Sequence, residues 1–484
     1  MKLVAYGLGQ SMSLRLGRGW VGSVAAAAIC CVALPLASSQ ALADTIESAL
    51  AQAYRNNPTL NSQRASMRAT DEGVPQALSG YRPKLSISAS GGEQTLGSTT
   101  KSTTNPATYT TQTGYNSPFS TSVTATQTLF NGFQTASKTR QAEAAVLAAR
   151  ATLRTTEQSV LLDAVTAYMN LLRDTAILGL QKSNVEVLQE QLRQTRDRFN
   201  VGEVTRTDVA QSEASLASGR SQYLTAESNY KSSAAAYRKV IGSTPGKLAA
   251  GTPVDRFSPS NLNSAIGVAT SSHPSIVSAQ FNIDVAQEQV KVAESSLYPT
   301  LSVQGSFTKN YLSQSSLNTM QSYSGSVLGT LSVPIYQGGA EYSLIRQAKE
   351  TLGQKRIDFD AARDSVRQTV VQSWGQLDAA KGNIEATTAQ VQASEIALNG
   401  VREEARVGQR TTLDVLNAQQ ALVNARVALV GAQRDRVVAS YSLLAGVGRL
   451  SPQVLGLRVP VYNAETHYKQ VRDSWAGVRT PDGR

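Results

Sequence analysis

The sequence predicts an α+β fold: long antiparallel coiled-coil helices with four β-strands per chain. Three observations predict it: a motif present twice, hydrophobic heptads sustained over long segments, and four shorter stretches where the period changes from seven to two. The motif is FNVGEVTRTDVAQSEASL at residues 199–216 and ARVGQRTTLDVLNAQQAL at residues 405–422. In register, Val201-Gly202 falls on Val407-Gly408, Thr205 on Thr411 and Asp208 on Asp414, at an offset of 206 residues. A glycine suits the left-handed residue that ends a helix, and a threonine caps the next one. Each copy is therefore expected to be a helix–turn–helix tip, at 199–209 and 405–415.

Residues 1–43 read as a secretory signal peptide, with Lys2, Arg15 and Arg18 before an apolar run and Ala41-Leu42-Ala43 before Asp44. Both cysteines lie inside it, and Ile29 stands before Cys30 where a lipoprotein site needs a small residue, so no lipid anchor is expected. Removing its three basic and no acidic residues takes the formal net charge from +11 to +8. The remainder has no cysteine, which excludes disulfides and thiolate metal sites. Its Lys and Arg are spread along helices, so they read as solvated faces and not as a nucleic-acid surface. No later segment offers the ~18 apolar residues of a membrane helix. Any membrane passage has to be made by strands.

The repeat organises the rest. Residues 44–242 form a first repeat, 243–272 a Pro/Gly/Ser/Asn-rich linker, 273–448 a second repeat, and 449–484 a basic tail expected to be partly disordered. Asn57-Pro58 is matched by His273-Pro274, and YRPKLSIS at 81–88 by LYPTLSVQ at 297–304. TLFNGF at 128–133 is matched by PIYQGG at 334–339. Ala164, Leu171, Leu178, Val185, Leu192 and Phe199 recur every seven residues, as do Val370, Leu377, Ile384, Val391, Leu398 and Ala405. Beyond the tips, Val209, Leu216, Tyr223, Tyr230 and Tyr237 continue at seven, like Leu416, Val423, Val430, Val437 and Leu444. Such stripes are packing seams of supercoiled helix pairs.

The period-two stretches are Leu85-Ile87-Ala89, Phe119 to Leu129, Leu301 to Phe307, and Val327 to Ile335, each alternating with Ser, Thr or Gln. A membrane strand of ~9–11 residues alternates in this way, and so does a soluble half-buried sheet. The connecting residues 91–118 and 308–324, rich in Ser, Thr and Asn, are expected to be exposed loops. Four strands cannot close a barrel, and hydrocarbon forbids an open edge. Membrane strands would therefore force several chains to share one barrel, with the helical seams curled into a tube about the same axis.

Enzyme chemistry finds little to work with. His273 precedes Pro274 at a helix start, and His467 stands in the polar tail with no expected partner. GSTPGKL at 242–248 has three residues between its glycines where a phosphate loop needs four, and Leu248 where Ser or Thr would hold magnesium. No catalytic residue, cofactor or metal is expected.

Taken together, the doubled tip, the Asn-Pro or His-Pro openings, the P-x-LS strand entries and the PIYQGG strand exit resemble TolC-type outer-membrane efflux and type I secretion channels. The resemblance implies a homotrimer whose 12-stranded barrel continues as an α-helical tunnel across the periplasm. It also implies recruitment by a periplasmic adaptor and an inner-membrane ABC or RND-type transporter. Asp414 matches a tunnel-constricting aspartate ring, and Asn417 replaces the aspartate of a second ring. Thr207, Asp208 and Arg410 match a latch at the tip, where Ala405 replaces the usual tyrosine beside Arg406. Val201, Gly202, Val407 and Gly408 match the surface that touches an adaptor. Asp208 and Asp414 are equally explained as first-turn residues favoured by the helix dipole, and the two roles can coexist. The competing function is an exported structural or adhesive coiled coil whose strands form a small soluble cap. The missing lipidation site and the basic tail lean toward a secretion channel.

Overall fold

The computed structural model describes residues 44–104, 107–314, 319–481 and 483, with backbone alone at 312–314 and 319–320; the expected signal peptide lies outside them. The chain opens with α1 (Ile46–Asn56), α2 (Pro58–Asp71) and α3 (Gly73–Leu78). The strands β1 (Lys84–Gly91), β2 (Gln94–Lys101) and β3 (Tyr109–Asn131) follow, then the hairpin of α4 (Gln134–Asn200) and α5 (Arg206–Ile241). The second repeat runs α6 (Leu262–Ser272), α7 (Pro274–Glu294), β4 (Thr300–Gln314), β5 (Thr319–Ser332), α8 (Ala340–Arg406) and α9 (Thr412–Gly446). A last helix, α10 (Ala464–Val471), lies in the tail.

The openings explain themselves at the residue level. Asn57 Oδ1 accepts from the amides of Thr59 and Leu60, and Pro58 fills the first helical position, where no amide is needed. His273 does the same for α7: its Nδ1 accepts from Ser275 N at 3.2 Å. His273 is thus a helix cap, and burial pulls its pKa down.

α4 and α8 each span 67 residues, about 100 Å at 1.5 Å per residue. Their seams hold a second stripe that the apolar pattern does not reveal. Asp174, Gln181, Leu188 and Thr195 also recur every seven residues on α4, and all four are buried. They face small residues on α5, where Ser212, Gly219 and Ala226 are buried and Ser233 is partly so. Asp174 accepts from Ser233 Oγ, and Ser212 Oγ reaches Thr195 Oγ1 at 3.4 Å. A Cβ on Gly219 would stand 2.7 Å from Leu188 Cδ1, so the helices approach closely there. In the second repeat α9 carries Ala418, Ala425, Ala432 and Ala439 at the matching places.

The sheet order is β1-β3-β4-β5, antiparallel throughout, with β2 also on β3. β1 and β2 keep one register against β3, interrupted only at 92–93, so the sheet has four strand lines. Two sequence expectations are corrected here. Residues 91–118 and 308–324 are largely strand: β2 and β3 continue as a ribbon, β4 reaches Gln314 and β5 begins at Thr319. Thr and Tyr at these places are strong strand formers, and a hydroxyl-rich run reads as loop only if that is ignored.

Two further corrections concern the connections. The supposed linker contains α6, which repeats α1 at the 216-residue offset of the two Pro openings and buries Ala265 and Ala269 against α8 and α9. The tail is also structured. Leu450 and Leu457 join the core formed by Leu50, Leu161, Tyr168, Tyr237 and Tyr441. His467 is buried with its Nδ1 3.0 Å from Asp71 Oδ2, so it has a partner after all. Burial raises the Asp71 pKa although His467 and Arg150 oppose it.

Candidate functional site

Two regions carry the geometry of function, the sheet at one end and the hairpin tips at the other. On the sheet, Leu85, Ile87, Val123, Ala125, Phe307 and Val327 fall on one face by register. They stand open, Ile87 at 75% and Val327 at 81% exposure. The opposite face is lined with hydroxyls that bond from strand to strand: Ser90 to Ser120 at 2.8 Å, Ser122 to Thr308 at 3.0 Å, Ser306 to Ser326 at 2.9 Å. A sheet with one apolar face left open and one wetted face has the pattern of a membrane-barrel wall. Within one chain β1 and β5 each have a neighbour on one side only. They run in opposite directions, so β5 of one copy can pair antiparallel with β1 of the next.

At the base of the sheet, Gly132 and Phe133 take φ of 61° and 64°, and Gly338 and Gly339 repeat the turn at 73° and 84°. The chain there passes from strand to helix in two left-handed steps. A Cβ on Gly132 would come within 2.6 Å of Tyr298 Cβ.

The tips are alike in both repeats. Gly202 and Gly408 both have φ of 81°. Glu203 N donates to Arg198 O and Gln409 N to Glu404 O, each at 2.9 Å, which closes the ends of α4 and α8. Thr205 and Thr411 then cap α5 and α9 in capping boxes. Asp208 Oδ2 accepts from Thr205 N at 2.9 Å and Thr205 Oγ1 at 2.6 Å; Asp414 Oδ2 accepts from Thr411 N at 3.0 Å and Thr411 Oγ1 at 2.9 Å. These donors hold both carboxyls below the ordinary aspartate range, led by the Thr205 hydroxyl at Asp208 and the Thr411 amide at Asp414. Both are carboxylates at neutral pH.

The remaining tip residues stay within their own hairpins. Arg410 Nε donates to Glu404 at 2.8 Å, and Arg406 lies 3.2 Å from Glu403. Thr207 and Asn417 are exposed; Asn417 follows Asp414 by three residues on α9. Val201 and Val407 stand 72% and 68% exposed beside glycines with nothing within 4 Å of a built Cβ. Each tip thus presents one exposed valine beside an uncovered glycine. Sequence reasoning missed one feature between the hairpins. A groove of about 420 Å³ separates α4 from α8 and α9, lined by Asn184, Glu395, Arg402, Gln419 and Arg426 among others. Its signal was the polar member of a buried seam, Asn184, which hydrophobic periodicity passes over.

An open two-faced sheet joined to two 67-residue helices fits an outer-membrane duct. The chain belongs to the outer membrane efflux protein family, which it matches over residues 49–243 and again over 265–449. It is 41% identical to the outer membrane efflux protein BepC of Brucella suis, over 95% of this chain and 97% of that one. It is 29% identical to the outer membrane protein TolC of Escherichia coli, over 86% and 85%. The Campylobacter jejuni CmeC outer membrane channel has the same fold, with a TM-score of 0.73 at 18% identity, covering 88% of this chain and 89% of that one. Family and fold place the protein in the outer membrane as an exit duct and set aside the reading as a soluble scaffold.

Proposed function

We propose that three copies close a 12-stranded barrel through their β1 and β5 edges and continue it as a helical tunnel across the periplasm. The observation that carries this reading is the open two-faced sheet: both edges need partners in lipid, and a copy of the same chain supplies them. The duct hydrolyses nothing itself. It serves an efflux pump or a type I secretion system by docking to an adaptor recruited with an inner-membrane ABC or RND-type transporter. Val201-Gly202 and Val407-Gly408 are the adaptor surface, supported by their exposure at the far end of the helices.

In the trimer Asp414 forms a ring of three carboxylates about the axis, and like charges so placed attract cations. Asn417 makes the second ring neutral. Thr207, Asp208, Arg410 and Arg406 hold the tips shut by polar links between hairpins. Arg410 then has to exchange Glu404 of its own hairpin for Asp208 of another.

Planar-bilayer conductance of the detergent-purified protein, with its oligomer mass measured in parallel, tests the proposal. A trimer giving small discrete steps blocked by multivalent cations is expected, with weaker block in Asp414→Ala. A monomer without conductance overturns the shared barrel, and unchanged block in Asp414→Ala overturns the ring assignment.

A further inference from the structure

The tail beyond α10 reaches the base of the sheet, where the duct by itself requires nothing of it. Arg82 Nη1 donates to Ser474 O at 2.6 Å, and its guanidinium lies 4.6 Å from the centre of the Trp475 ring. Arg82 stands two residues before β1, whose first residue pairs with Thr126; β3, β4 and β5 run four or five residues further before they end at Asn131, Thr300 and Ser332. Trp475, held by Arg82, therefore lies beside the lower part of the sheet, a few residues above the strand ends. It is 73% exposed, and Tyr81, Phe133, Tyr298 and Tyr336 are exposed at the lower rim of the sheet.

The tail lies over α2, through the His467–Asp71 pair and the packing of Val459, Tyr462 and Ala464 on Leu60, Met67 and Leu153. A conduit has to keep its lumen free, so this layer faces outward, a step that rests on the duct reading. Arg82 is the cation against Trp475; along the sequence Lys84, Arg472 and Arg479 add basic residues close by, against Asp473 and Asp482 in the tail. Arg472 also lies 3.6 Å from Glu143 on α4.

We propose that the tail is a membrane-interface anchor: Trp475, stacked on Arg82, seats among the phospholipid headgroups of the leaflet facing the periplasm, with the surrounding cations on their phosphates. An indole with an apolar body and an N–H donor favours that layer, and a cation beneath it adds attraction to phosphate. The occupant follows from continuity with the apolar band above and from the net positive charge. Without the tail, this rim would rely on the aromatics of the strand–helix turns alone.

Tryptophan emission tests this in the full-length protein reconstituted into proteoliposomes. In Trp20→Phe/Trp374→Phe the only indole is Trp475. Lipids brominated just below the headgroup are expected to quench it strongly, lipids brominated near the chain end less, and aqueous iodide little. Quenching by iodide with none by bromine would place Trp475 in water and overturn the proposal. Quenching by neither would place it against a neighbouring subunit and overturn it equally. Trp475→Ala, which keeps Trp374 half-buried on α8, is expected to lose the bromine-sensitive part of the emission. The difference between the wild type and Trp475→Ala gives the same reading if the double variant does not assemble. Bilayer conductance of Trp20→Phe/Trp374→Phe separates the two proposals: a conducting trimer whose Trp475 emission bromine does not quench would overturn the anchor and leave the duct standing.

Discussion

At the residue scale, the tips show how one aspartate serves two ends. Asp208 and Asp414 are both satisfied as capping-box acceptors, and each directs one carboxylate oxygen to the cap. Losing the Thr205 side chain removes the Oγ1 that accepts from Asp208 N and donates to its carboxylate, and a lost threonine cap costs about 1 kcal/mol. Thr205→Ala is accordingly expected to speed amide exchange in the first turn of α5, with little change elsewhere along the helix. The pH dependence has a definite sign. Because the folded carboxyl of Asp208 is held low, its contribution is complete above the ordinary aspartate pKa and is lost as pH falls through the depressed value. Protection of that turn, taken relative to the intrinsic exchange rate at each pH, should therefore fall only in acid. With the proposed Asp414 ring in place, Asn417→Asp would add a second charged ring, so stronger block by multivalent cations is expected in bilayer recordings. Unaltered block would place residue 417 away from the lumen. Gly132→Ala meets both a φ of 61° and Tyr298 at 2.6 Å. We expect a lower melting temperature of the trimer in detergent, by overpacking and strain of about 1–3 kcal/mol.

At the scale of elements, each hairpin is built from one stripe of large apolar residues and one stripe of polar or small ones. The apolar stripe of α4 is plain from its heptads, and Ala164, Leu171 and Leu192 are indeed buried. Its companion was not legible, because Asp174, Gln181 and Thr195 look like solvent positions until Ser212 and Ser233 are brought opposite. A leucine at Gly219, where even a Cβ would stand 2.7 Å from Leu188 Cδ1, should drive α5 away from α4. An overpacked seam costs about 1–3 kcal/mol, to be read as a loss of thermal stability, and a smaller residue at 188 in the same chain should recover part of it. The strands teach the complementary lesson. Their alternation was readable where apolar residues mark it, yet the ribbon of β2 and β3 was taken for loop, since Ser and Thr occupy both of its faces.

For the whole molecule, the tail ties the two ends of the chain together. His467 of α10 meets Asp71 of α2 across 396 positions of sequence. Removing the imidazole in His467→Ala leaves a carboxyl that is 0% exposed without its partner. Leaving a buried acceptor without its hydrogen-bond partner costs about 1–3 kcal/mol. The expected outcome is release of α10, seen as protease cleavage between residues 449 and 464 under conditions where the wild type is resistant. Cleavage at the wild-type rate would show that the packing of Tyr462 and Val459 alone secures the tail.

What the sequence determined by itself was everything carried by local period and by repetition: the paired 67-residue helices, the tips with their glycines and threonine caps, the four strand lines, and the family. Those features are written in spacings of two, seven and 206 residues, and a spacing needs no knowledge of what lies opposite. Only the tertiary structure decided the ordered tail, the helix inside the apparent linker, the buried polar seam, and the stacking of Trp475 on Arg82. Each of these depends on a partner far along the chain. A polar or lone aromatic residue has no period to betray whether water or another side chain will meet it.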